Sequence, residues 1–250
     1  MYNLDALLQD WPNILAIVWF LICFNGYAYF SQVKALTTPC LSNVLHVYRV
    51  EWMGQMLHRD LRVADIAAVA NLERSVAFFA SSTILILAGL VTALGSSERI
   101  VTVVSGLPGM ANTSKLEWEV KLMVLIIVFV YAFFKFTWSL RQYGFCSVLF
   151  GSAPLVTDDA RNMEHEAFIS RSAQMISMGA NNFNFGLRSY YFSLAVLAWF
   201  INAWCFMAFT TVVVLVLYRR EFKSSVLKTL MVSVADTKGQ EQDFRQELHK

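Results

Sequence analysis

The chain has 250 residues, 57% of them hydrophobic, and its twenty lysines and arginines against eighteen acids leave a net charge of +2. The apolar share exceeds the ~45–50% of ordinary soluble domains, and so small a net charge excludes a nucleic-acid partner held by a general basic surface. Cys23, Cys40, Cys146 and Cys205 are scattered with no Cys-x-x-Cys pair, which reads as packing thiols rather than a disulfide or metal framework.

Four apolar runs dominate, at about 13–30, 75–94, 120–140 and 190–218. Each is long enough to cross a hydrocarbon core of about 30 Å, which takes about 20 helical residues. The expected fold is therefore all-α, an integral membrane four-helix bundle with helical connectors. Residues 1–230 are expected to form one four-span domain and 231–250 a polar tail.

Before the first run there is no lysine or arginine. A cleavable signal peptide needs a basic start and a small-residue cleavage site, so this run is expected to stay as an anchor. Trp11 and Pro12 suit its opening at a membrane interface, and Tyr27, Tyr29 and Phe30 its far belt.

In the first connector, Thr38-Pro39 predicts a helix start, an N-cap followed by an N1 proline. With no further proline before Pro108, one helical course is expected to run on into the second span. Glu51, Gln55, His58, Arg62 and Asp65 share one face of it, and Leu45, Tyr48, Trp52 and Met56 another. That is an amphipathic helix, lying on the membrane or against another connector.

The second span carries Ser81-Ser82-Thr83, small residues that let helices approach closely in lipid. Gly95 to Ser114 reads as a loop from its turn formers, and Glu117, Glu119 and Lys121 precede the third span. Thr157, Asp158 and Asp159 predict a helix N-terminus in the second connector, with Gly179 and Gly186 permitting a bend. The fourth run is long enough to span with tilt. Breaking it at Asn202 makes two arms of about 14 residues, each too short to cross, so one helix is expected.

Four spans put both termini on one side and the connectors, 31–74 and 140–189, on the other. The connectors hold Lys34, Arg49, Arg59, Arg62, Arg74, Arg141, Arg161, Arg171 and Arg188. The terminal side answers with Arg99, Lys115 and the cluster Arg219, Arg220, Lys223 and Lys228. By the positive-inside rule the two sides nearly tie. The flanks of the first helix decide it, placing the connectors in the cytoplasm and both termini outside.

Apart from Lys121 at the entry to the third run, Lys135 is the one charge within the four runs, and an ionisable residue inside a span is a functional candidate. It aligns with Tyr131, Ser139 and Gln142, and it is also close enough to Arg141 for its amine to snorkel to the interface. Asn181, Asn184, Arg188 and Tyr191 share a helical face. Amides and a guanidinium there suit either an anionic headgroup or substrate, or a helix–helix hydrogen-bond cluster. Topology brings Arg74, Lys135, Arg141, Asn184 and Arg188 towards one membrane face, as a candidate anion or lipid-headgroup cluster.

No nucleophile elbow, zinc-protease or Walker motif is present. His46, His58, His165 and His249 lie outside the runs, so no intramembrane pair can ligate a haem. In Glu164-His165-Glu166, adjacent residues point to different helix faces, which reads as a surface helix. No catalytic residue, metal or cofactor is expected.

Four stretches carry a family likeness: 74–89 (Arg-Ser-Val-Ala-Phe-Phe-Ala-Ser-Ser-Thr-Ile-Leu-Ile-Leu-Ala-Gly), 135–143 (Lys-Phe-Thr-Trp-Ser-Leu-Arg-Gln-Tyr), 184–191 (Asn-Phe-Gly-Leu-Arg-Ser-Tyr-Tyr) and 218–222 (Tyr-Arg-Arg-Glu-Phe). Together they resemble the bacterial and plant membrane family known as domain of unknown function 599. The resemblance extends to about Leu230 and implies a four-span membrane protein, which is expected to lie in a bacterial inner membrane. It supplies no activity, and it places Lys135, Arg141 and Arg188 inside the recognisable stretches. The reading is thus a non-enzymatic interaction or assembly protein, partnered by membrane lipids and by a protein or further copies of itself. The alternative is an oligomeric small-solute transporter or channel with a basic interfacial site.

Overall fold

The computed structural model describes residues 11–104, 114–154 and 163–231. These residues form seven helices and no strand: α1 (Trp11–Thr37), α2 (Leu41–Leu57), α3 (Val63–Gly95), α4 (Ser97–Val104), α5 (Lys115–Gly151), α6 (Met163–Ala198) and α7 (Ala203–Phe222). A further helical stretch covers 225–231. The helices long and apolar enough to cross a membrane are Trp11–Thr37, Val63–Gly95, Lys115–Gly151 and Ala203–Met231. The all-α membrane fold expected from the four runs is therefore present, with helices that outrun the apolar runs at their polar ends.

The long helices form a row in which α6 is central. α3 packs on α5, α5 on α6, α6 on α7, and α7 on α1. Phe79, Phe136, Phe183 and Tyr190 make a ring cluster joining α3, α5 and α6, with centroids 5.5–5.8 Å apart. Phe20, Phe24, Phe192 and Phe206 join α1, α6 and α7. Offset and edge-on pairs of this kind add about 1 kcal/mol each beyond the area they bury.

Close approach of α5 and α6 depends on small residues. A Cβ at Gly186 would lie 2.4 Å from Phe136, and one at Gly179 would lie 3.0 Å from Tyr143. Ser139 donates to the Gly179 carbonyl at 2.7 Å, and Asn182 to Gln142 Oε1 at 2.8 Å. In lipid, where apolar burial gives helices no drive to associate, such fit and hydrogen bonding hold them together. α6 is one continuous helix, and the two glycines admit aromatic rings from α5.

The run 190–218 is not one helix. It breaks at 199–202, where Asn202 caps α7 by accepting from the Cys205 amide at 2.6 Å, and α7 returns antiparallel to α6. Beside the turn, Trp199 stacks on Phe206 at 5.0 Å, while Arg188 reaches Glu221 at the far end. The length objection to a break fails because the first arm is the end of α6, a helix begun well outside the apolar run.

The path through the bundle follows from paired contacts. Trp118 of α5 meets Phe200 at 4.7 Å, so α5 and α6 are antiparallel. Trp199 donates to Asn13 at 2.8 Å and Trp19 to Thr211 at 3.2 Å, so α1 runs parallel to α7. Trp11 and the 199–202 turn mark one end of the bundle. The other end carries α2, the α5–α6 corner and 225–231, where Tyr48 donates to the Leu230 carbonyl at 2.9 Å. The chain thus traverses the row five times, and its two described ends lie at opposite ends of the bundle. Four spans with both termini on one side do not describe this path.

Other boundaries also differ from expectation. Thr38 closes α1 by donating to the Lys34 carbonyl at 2.7 Å, so Pro39 lies in a break and α2 starts at Leu41. The single course into the second span is interrupted at 58–62. There Asp65, only 1% exposed, accepts from Trp52 at 2.7 Å and Arg59 at 2.6 Å, pinning the corner. The loop expected after Gly95 begins with α4, and Ser114 caps α5 through the Glu117 amide. Thr157, Asp158 and Asp159 lie outside the described residues.

Candidate functional site

At the connector end, α1, α2, α6 and α7 enclose a polar cleft. It has two adjoining lobes of about 160 and 310 Å³ that share Ser42, Asn181, Asn184, Arg188 and Glu221. α2 supplies one wall because its apolar face, with Met53, Met56 and Leu57 buried, seats it on the bundle. This is the amphipathic helix read from the sequence, and its place is against α6.

Arg188 forms the base of the cleft. Its guanidinium donates to Glu221 at 2.8 and 3.0 Å and to Ser31 at 3.0 Å, and it lies over the rings of Phe185 and Tyr27. Tyr27 donates to the same carboxylate at 2.9 Å. Both members of the ion pair are largely buried, at 16% and 18% exposure. The charge of Arg188 is therefore met from within the protein.

Two other arginines are not met in this way. Arg49 enters from α2, half-buried, and donates to Ser177 at 3.2 Å. Arg220 enters from α7 and donates to Tyr191 at 2.6 Å. Neither has an acidic partner among the described residues. Burial lowers the pKa of Arg49 from its ordinary value, against a smaller opposing effect of Tyr143, and a neutralising anion would relieve that cost. Asn184 faces both lobes and makes no hydrogen bond among the described residues, while Asn181 accepts from Ser42 at 2.8 Å. One acid against three guanidiniums, with free amide donors, is the chemistry of anion recognition.

The five residues singled out from sequence fall at three separate places. Asn184 and Arg188 share the cleft. Lys135 and Arg141 line a separate open groove on α5. Arg74 lies on α3 beside Asn71, at 3.3 Å. The family profile described as protein of unknown function DUF599 matches residues 15–226. The chain belongs to the DUF599 family. No curated protein and no solved structure gives a match.

Three residues that complete the cleft of this DUF599 protein were not picked out from sequence. Arg49 carried a signal, since it sits at helical spacing from Leu45 and Trp52 on the apolar face of α2, where a lone guanidinium needs a reason. Glu221 carried another, as a single acid among Arg219, Arg220 and Lys223. Arg220 carried none, because at the end of an apolar helix a basic residue is an ordinary interface anchor.

Proposed function

We propose that this DUF599 protein is a non-enzymatic multi-pass membrane protein that binds a small anion, a phosphate or carboxylate, in the connector-end cleft. One observation carries the reading: Arg49 and Arg220 flank a cleft whose own acid is already paired with Arg188. This favours the small-solute alternative over assembly through the connectors. Met53, Met56 and Leu57, the buried apolar residues of α2, are spent on packing within the bundle.

The five traverses support a topology for the same reading. α6 is too polar to stand out as a span, yet it runs beside α5 through the whole apolar zone. Counting it as a crossing moves Arg219, Arg220, Lys223 and Lys228 to the side of the connectors. The positive-inside tie then disappears, since Arg99, Lys115 and Lys121 face a connector side with several times as many cations. The connectors, the cleft and the C-terminal end are cytoplasmic, and the N-terminal end is outside, in a bacterial inner membrane as the family resemblance suggests.

The test uses the full-length protein in mild detergent, titrated with inorganic phosphate and with acetate while thermal unfolding is followed. Phosphate or acetate should raise the melting temperature of the wild type, and Arg49→Gln with Arg220→Gln should abolish the rise. An equal rise in the double variant, or none in the wild type with either anion, overturns the reading.

A further inference from the structure

A second basic site lies outside the cleft. Tyr131, Phe134, Lys135, Thr137, Trp138 and Arg141 line an open groove of about 420 Å³ on the outer face of α5. Its two cations have no acidic partner among the described residues. Arg141 is exposed, lies over Phe145 at 5.9 Å, and makes no hydrogen bond among the described residues. Lys135 is half-buried above Tyr131 and Phe185, at 5.5 and 5.2 Å, and reaches Asn182 at 3.5 Å.

The depth of the groove is set by the helix. Lys135 lies about 25 Å along α5 from Trp118 at 1.5 Å per residue, near the connector-side edge of a hydrocarbon core of about 30 Å. Towards the other end, the same face presents exposed Met123, Ile127 and Phe134. An apolar strip that ends in two unpaired cations and an exposed Trp138 has the polarity of a lipid, with chains below and phosphate above. A second copy of the chain seated there by symmetry would set these cations against their own counterparts.

We propose that the α5 groove is a binding site for one anionic phospholipid, whose phosphate lies between Lys135 and Arg141 and whose acyl chain follows Met123, Ile127 and Phe134. The site is built on cations other than those of the cleft and opens on another face, with the Phe185 ring between Lys135 and Arg188. Asn182 and Phe185 position Lys135 from α6, so the lipid also buttresses the α5–α6 pair.

Native mass spectrometry of the full-length protein, incubated with phosphatidylglycerol or phosphatidylcholine, tests this. The wild type should retain one phosphatidylglycerol under activation that strips phosphatidylcholine. Lys135→Gln with Arg141→Gln should lower that retention by roughly thirtyfold, each cation near the surface being worth about 1 kcal/mol. Arg141→Gln alone removes no hydrogen bond among the described residues, so it keeps the fold and should lose part of the retention. Arg49→Gln should leave it unchanged. Equal retention of the two lipids, or unchanged phosphatidylglycerol retention in both groove variants, overturns the proposal.

Discussion

Arg188 on α6 donates through one nitrogen to both carboxylate oxygens of Glu221 on α7, at 3.0 and 2.8 Å. The bond ties the two arms of the hairpin at the end far from its turn. Ser31 and Tyr27 bring α1 into the same knot, so three helices depend on one ion pair.

Removing Glu221 leaves a buried guanidinium uncompensated. Glu221→Ala should therefore cost about 3 kcal/mol, whereas replacing both partners, Arg188→Met with Glu221→Leu, should recover most of that loss. Thermal unfolding in one detergent, compared across the three variants, measures the difference.

The α5–α6 contact is sensitive to a single methyl group. Gly186→Ala puts a Cβ into the Phe136 ring, only 2.4 Å away before relaxation, and should destabilise by about 1–3 kcal/mol. Phe136→Leu in the same chain frees space and should restore part of the loss. Additive effects in the double variant would show that the two residues do not share this contact.

Asn202 closes the turn by capping α7. Asn202→Ala should cost about 1 kcal/mol, and Asn202→Asp, which keeps the accepting oxygen, should cost less. Chemical denaturation of the two variants against the wild type decides between a capping role and a packing one.

At the opposite end of the bundle from the cleft, Lys115 donates to Glu98 and holds its carboxyl below the usual range. Its contribution is present above the ordinary glutamate pKa and is lost as pH falls through the lowered one. Glu98→Gln should therefore flatten the acid limb of stability slightly, as a small effect, since the pair is open to solvent. Melting temperature followed from neutral to acid pH in both proteins measures it.

On the proposed topology, a reporter fused after Lys250 should signal from the cytoplasm and one fused before Met1 from outside. A cytoplasmic signal from both fusions would return the chain to an even number of crossings.

What could be read in advance was whatever depends on local composition. Length and apolarity alone mark α1, α3, α5 and α7 as membrane helices, and the spacing of Leu45, Trp52 and Met56 gives α2 its inward face. Asn181, Asn184 and Arg188 were legible as one helical face because their contact is periodic along a single element. The partners of Arg188 were not, since Ser31 and Glu221 lie 157 and 33 residues away.

α6 shows where local reading ends. Its serines, asparagines and glycines lower its apolarity below that of a span, so it looks like a connector. Those same small and polar residues let it sit in the middle of the row, packed between α5 and α7. By itself the sequence determined the compartment and the helical class, because the transfer of apolar side chains into lipid is a sum over neighbouring residues. Only the tertiary structure decided the number of traverses, the pairing of Arg188 with Glu221, and the meeting of Arg49 and Arg220 across one cleft. Each of these is a matter of shape and charge between helices far apart in the chain.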